Sequence, residues 1–154
     1  MGDEACACQP IGIIRSPVTE PVDADWGKVV SEIRLRQEFA AGLQGLAGFS
    51  HVVIVFYMHN ATFVPERDLV RQPQGRQDMP LVGIFAQRAR HRPNPIGITA
   101  VKLLGVNGNA VTVQGLDAID GTPVLDIKPY FPVYDRVAAP VVPAWVDVLM
   151  EDYF

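Results

Sequence analysis

The sequence predicts a single all-β domain, a barrel or a sandwich, on three observations. Apolar and polar residues alternate with period two over much of the chain. Turn-forming residues interrupt that alternation at close intervals. The length of 154 residues, 49% of them hydrophobic, suits one domain with one core. One domain over residues 1–154 is therefore expected, opening on a loose arm over residues 1–9.

Ile11 to Arg15 reads as a first strand, stopped by Ser16-Pro17, and a loop follows from Thr19 to Gly27. Val29 to Arg36 alternates, with Val29, Ser31, Ile33 and Leu35 on one face. Gln37 to Leu46 suits one or two helical turns, weakened by Gly42 and Gly45. His51 to His59 is an apolar strand. The polar connection from Asn60 to Pro80 is long enough to expect a functional or disordered loop. Leu81 to Gln87 resumes a strand, and Pro93-Asn94-Pro95 then forbids helix. Ile98 to Val106 and Ala110 to Leu116 flank Asn107-Gly108, a hairpin signal. Asp120-Gly121 turns into a strand from Val124 to Tyr130, where Val124, Asp126, Lys128 and Tyr130 share one face and Leu125 and Ile127 the core face. Phe131 to Pro143 is irregular, and Ala144 to Tyr153 suits a short helix with Trp145 and Leu149 on one side.

Composition removes several classes of function. No apolar run approaches the roughly 20 residues that span a bilayer. The start of the chain is acidic at Asp3 and Glu4 and lacks the apolar stretch of a secretory signal, so a cytoplasmic protein is expected. No glycine-rich nucleotide motif is present, and none of the three serines lies in a nucleophile elbow. His51, His59 and His91 lack metal-ligand spacing, and Cys6 and Cys8 have no third thiol to complete a site, so no metal is expected.

Charge is uneven. The net charge is −4, but from Glu66 to Arg92 six arginines face three carboxylates, a segment of +3 that leaves −7 elsewhere. Such a patch positions a phosphate backbone without general nucleic-acid affinity, and it equally describes a solvated loop. Within it Arg88, Arg90 and Arg92 alternate, so an extended chain would put them on one face. Arg92 and Asn94 both precede proline, which stiffens the segment and lowers the entropy lost on binding. Arginine suits carboxylate and phosphate, and an asparagine amide suits an adenine edge or a backbone tie. At Asp120-Gly121-Thr122-Pro123 the turn amides are candidates for a ligand carboxylate and Asp120 for an amine or ribose hydroxyl; spacing alone favours a plain hairpin with an Asp126–Lys128 ion pair. His59-Asn60, at a strand end beside the long loop, suits the rim of a binding site.

These strings resemble the TsaA-like (TrmO) family. The resemblance rests on Ile11-Gly12-Ile13-Ile14-Arg15-Ser16-Pro17, Gly45-Leu46-Ala47-Gly48-Phe49-Ser50-His51, Arg92-Pro93-Asn94-Pro95-Ile96-Gly97 and the run from Asp120 to Tyr130, in the family's order. It implies a small closed or nearly closed β-barrel with short helical turns. It also implies a homodimer, S-adenosyl-L-methionine as cofactor, and methylation of N6 of threonylcarbamoyladenosine at position 37 of tRNA. By the same resemblance His59, Asn60, Arg88, Ala100, Asp120, Gly121, Thr122, Pro123 and Val124 would hold the cofactor, with the Trp26–Lys28 loop beside them. Arg71, Arg76, Arg90, Arg92, Asn94 and Lys128 would face RNA. The catalytic base is open between His59 and Asp120. Some members carry a second, C-terminal domain, which is not expected here. The alternatives are another RNA or small-molecule acceptor, or a barrel that binds the cofactor without turning it over.

Overall fold

The computed structural model describes residues 5–154. Residues 1–4 of the expected arm lie outside the described residues; residues 5–9 are exposed and form no helix or strand.

Six strands close into an antiparallel barrel. They are β1 (Gly12–Arg15), β2 (Val30–Leu35), β3 (His51–Tyr57), β6 (Ile96–Asn107), β7 (Ala110–Gln114) and β8 (Pro123–Pro129). The order round the barrel is β1-β2-β7-β6-β3-β8, and β8 pairs with β1 to close it. Closure leaves the barrel without a free edge. Alternation sends Ile14, Ile33, Ile54, Val101, Val111 and Val113 into the barrel, each at most 2% exposed. Burying each such side chain contributes about 1.5–3 kcal/mol relative to leaving it in water. In β2, Ser31, Ile33 and Leu35 face inward together, as the alternation predicts.

Two bulges break the pattern. Val55 pairs with Asp126 and Phe56 with Val124, so Leu125 is an extra residue in β8. It resets the alternation: Val124 is fully buried, and Ile127 still packs on the core. The expected face shared by Val124, Asp126 and Lys128 is therefore wrong, because a bulge shifts every residue beyond it by one. Leu104 is the extra residue between β6 and β7. The β6–β7 hairpin turns at Gly108-Asn109, one residue later than expected, since Asn107 still pairs with Ala110. Gly108 takes the left-handed φ of 60° there, and the Asn109 amide donates to the Leu35 carbonyl at 2.6 Å.

The long connection is ordered. It holds the short helix α1 (Pro65–Asp68) and a two-stranded sheet of β4 (Val70–Arg71) and β5 (Val82–Gly83). The strand expected from Leu81 to Gln87 shrinks to β5 and a single helical turn at Ile84–Ala86. Its neighbour β4 offers only two residues to pair with, and the Gln87 side chain folds back onto the carbonyls of Arg71 and Val82 at 3.1 and 3.0 Å. Helix α2 (Pro132–Asp135) interrupts the irregular stretch, with the Phe131 amide donating to the Asp135 carboxylate. Helix α3 (Ala144–Met150) half-buries Trp145 and Leu149, as expected. Among the described residues no helix is long and apolar enough to cross a membrane.

Candidate active site at one end of the barrel

Strand directions decide which residues meet. Tyr57, the last residue of β3, pairs with Ile96, the first of β6, while Phe56 pairs with Val124 near the start of β8. His59 and Asn60, Asn94 and Asp120 to Pro123 therefore gather at one end of the barrel. The chain after β7 and the Trp26–Lys28 turn before β2 reach the same end. Ala100 lies apart from them, in mid-strand on the outer wall opposite Val53.

Asp120 to Thr122 form a clasp. The Asp120 carboxylate accepts the Ser16 amide at 3.1 Å and lies 3.8 Å from the Arg15 guanidinium. The Asp120 amide donates to Val18, the Gly121 amide to Ile14, and the Thr122 amide to Ile119. These three turn donors are thus satisfied inside the chain, so the expectation that they meet a ligand carboxylate is corrected. Gly121 sits at φ 80°, a conformation that favours glycine. His59 is exposed in the turn after β3.

The arginines divide into two groups. Arg67 and Arg71 lie 2.7 and 3.5 Å from Asp68, whose side chain has no exposed surface, and Arg76 lies 2.6 Å from Asp78. Hydrogen bonds from Arg67 and from the Val64 amide hold the Asp68 carboxyl well below the usual carboxylate range, against the opposing effect of burial. Arg88, Arg90 and Arg92 bond neutral partners instead. Arg88 donates to the Ile98 carbonyl at 2.6 Å, Arg90 to His91 at 3.0 Å, and Arg92 to the Gln87 and Ala89 carbonyls. The chain bends through Arg90–Asn94, so the expected single arginine face does not form; Arg92 pulls back on its own loop. Arg67 and Arg71 share the one charge of Asp68, so the arginines without a carboxylate contact are those at positions 88, 90 and 92. Lys128 stands on the outer wall, 2.6 Å from Asp126, the ion pair the sequence allows.

A cavity of about 330 Å³ opens on the outer wall at this end, lined by Tyr57, Asn94, Ile96 and Pro123 and overlooked by the free thiols of Cys6 and Cys8. Beside the barrel mouth lies a cluster the sequence reading missed. Thr99 and Tyr153 both donate to the Asp117 carboxylate, Tyr153 at 2.6 Å. Burial, with the charge of Asp117, pushes the Tyr153 phenol up, so it stays a donor. No spacing rule links positions 99, 117 and 153. Among the described residues no group of three or more His, Cys, Asp or Glu side chains could hold a metal.

Fold and site together define a small closed β-barrel with polar, partly cationic groups gathered at one mouth. The chain belongs to the tRNA-methyltransferase O N-terminal domain family, whose profile matches residues 14–136. It is 38% identical over 142 residues to a probable S-adenosyl-L-methionine-binding protein of Methanothermobacter thermautotrophicus, covering 89% of this chain and 98% of that one. It is 46% identical over 93 residues to the human tRNA (adenine(37)-N6)-methyltransferase, covering 60% of this chain and 21% of that one. The crystal structure of TrmO from Pseudomonas aeruginosa superposes with a TM-score of 0.72 at 34% identity, covering 90% of this chain and 62% of that one. The chain thus spans nearly all of the archaeal relative and under two thirds of the other two.

Proposed function

We propose that this chain is an S-adenosyl-L-methionine-dependent methyltransferase acting on tRNA, at N6 of threonylcarbamoyladenosine 37, in the cytoplasm. The carrying observation is the convergence of His59, Asn60, Asp117 and Asp120 with the unneutralised Arg88, Arg90 and Arg92 at one barrel end. Membership of the family and the relatives' names support it.

The residues present fit the cofactor. Its methionyl end is a zwitterion that also carries a sulfonium, and this end of the barrel offers carboxylates and a guanidinium with free N–H groups. When bound, the cofactor supplies an electrophilic methyl group. The protein's part is to hold an acceptor nitrogen in line with that methyl and to keep water away. Asp120 spends its carboxylate on Ser16 and Arg15, so of the two candidate bases the exposed His59 is the freer to take the acceptor's proton. Arg90 is the arginine best placed to meet phosphates, while Asn94 on the cavity rim suits a base edge. Ala100, with its exposed neighbours Tyr57, Ile96 and Ile98, belongs to an apolar outer wall that supports a homodimer.

Incubation with labelled cofactor and total tRNA, from cells with and without the threonylcarbamoyl modification, followed by nucleoside mass spectrometry, tests this. Label only in the modified pool is expected. Label in neither pool overturns the tRNA reading, and equal label in both overturns the modified-adenosine part. Sedimentation of the purified chain checks the dimer.

A further inference from the structure

We propose that the C-terminal segment is a working part of the cofactor site: Tyr153 positions Asp117, whose carboxylate holds a cationic group of the cofactor while Arg88 holds its carboxylate. This deepens the reading above and rests on it. Segment 144–154 lies beyond the matched family domain, which ends at residue 136.

One part of the expected cofactor site meets this segment and a second is anchored beside Thr99, which shares Asp117 with it. The first is the Trp26–Lys28 turn. The Asp25 and Trp26 amides donate to the Asp152 and Tyr153 carbonyls, both at 2.9 Å, so the tail is tied to the start of the turn. Gly27 permits that approach, because a Cβ there would stand 2.6 Å from the Phe154 backbone. Trp26 is 2% exposed beneath it. The second part is Arg88. It donates to the Ile98 carbonyl, next in the chain to Thr99, the other donor to Asp117. Tyr153 therefore joins the turn to Asp117, and Arg88 is anchored one residue from Thr99.

The chemistry of the cluster is directional. Asp117 receives one O–H from Thr99 on its first oxygen and one from Tyr153 on its second. Each carboxylate oxygen can accept more than one hydrogen bond, so the anchored anion keeps capacity for a ligand. The phenol keeps its proton here and is a fixed donor, which suits it to orienting the carboxylate. Arg88 uses one N–H of five on Ile98. An anion and a cation at the same end of the barrel match an amino-acid zwitterion, and the cofactor's sulfonium adds a second positive charge. The shared chemistry is a cation facing Asp117, either ammonium or sulfonium.

Calorimetric titration of the purified chain with S-adenosylmethionine and with S-adenosylhomocysteine tests this, since only the first carries the sulfonium. Asp117→Asn is expected to weaken S-adenosylmethionine at least ~10-fold. An equal loss for S-adenosylhomocysteine assigns the ammonium, and a smaller loss assigns the sulfonium. Tyr153→Phe keeps the ring and its edge-on contact with Phe154 but removes the donor. It is expected to weaken the same ligand about 3- to 10-fold and to show the same split between the two ligands. Thr99→Val provides the same readout should Asp117→Asn unfold. Asp117→Asn, or in its place both Tyr153→Phe and Thr99→Val, binding both ligands within about twofold of the native chain overturns the proposal. Failure of the native chain to bind either ligand overturns instead the functional reading beneath it.

Discussion

The Asp120 carboxylate accepts the backbone N–H of Ser16 at 3.1 Å, across 104 positions of sequence. It joins the end of β1 to the turn before β8, where the barrel closes. One of the two candidate bases thus ties the barrel shut through its carboxylate. Asp120→Ala should lower stability by about 1–2 kcal/mol in urea denaturation, while Asp120→Asn, which keeps an acceptor, should cost under about 1 kcal/mol. Methyl transfer should survive in the Asn variant; its loss in a folded protein would return Asp120 to the catalytic role.

Gly97 closes the Arg92–Gly97 string for a packing reason. A Cβ there would lie 2.3 Å from the Phe56 ring. Gly97→Ala is expected to destabilise the barrel by about 1–3 kcal/mol. Adding Phe56→Leu should recover part of that loss, because the smaller side chain yields the space. A double-mutant cycle with no coupling between the two positions would refute this account.

Charge distribution separates the arginines. Arg90→Glu should weaken tRNA binding about 10-fold and flatten its salt dependence, with cofactor affinity unchanged. Arg76→Ala should change tRNA binding less than about 3-fold, because Asp78 already neutralises Arg76. Binding titrations across a salt series distinguish the two. Arg92 is a poorer probe, since its removal also frees the carbonyls of Gln87 and Ala89.

Asp68 makes the ordered loop acid-sensitive. Its folded carboxyl titrates below its ordinary value of 3.8, so the unfolded chain binds the proton more readily. Its contribution is full above pH 3.8 and is lost as pH falls below that value toward the depressed folded one. Asp68→Asn should be less stable than the native chain at neutral pH. It should also show a shallower fall in stability below about pH 4. Parallel acid limbs for the two proteins would refute this.

The alternation of Ser31, Ile33 and Leu35, the apolar run Val52–Phe56 and the hairpin after β6 were all legible in the sequence, because burial on one face of a strand imposes period two. So were the gathering of charge at 66–92 and the proline-stiffened Arg92–Pro95 stretch. Local composition thus determined the class of fold and the segment where positive charge gathers. It did not reveal the bulge at Leu125, since an extra residue shows only when its partner strand is present. It could not tell that Arg67, Arg71 and Arg76 lie against carboxylates while Arg88, Arg90 and Arg92 do not, nor that the Asp120 turn spends its amides inside the chain. Barrel closure and side-chain pairing decided those, along with the meeting of Thr99, Asp117 and Tyr153. Contacts between residues tens of positions apart leave no periodic trace along the chain; only the folded backbone brings their donors and acceptors within hydrogen-bonding distance.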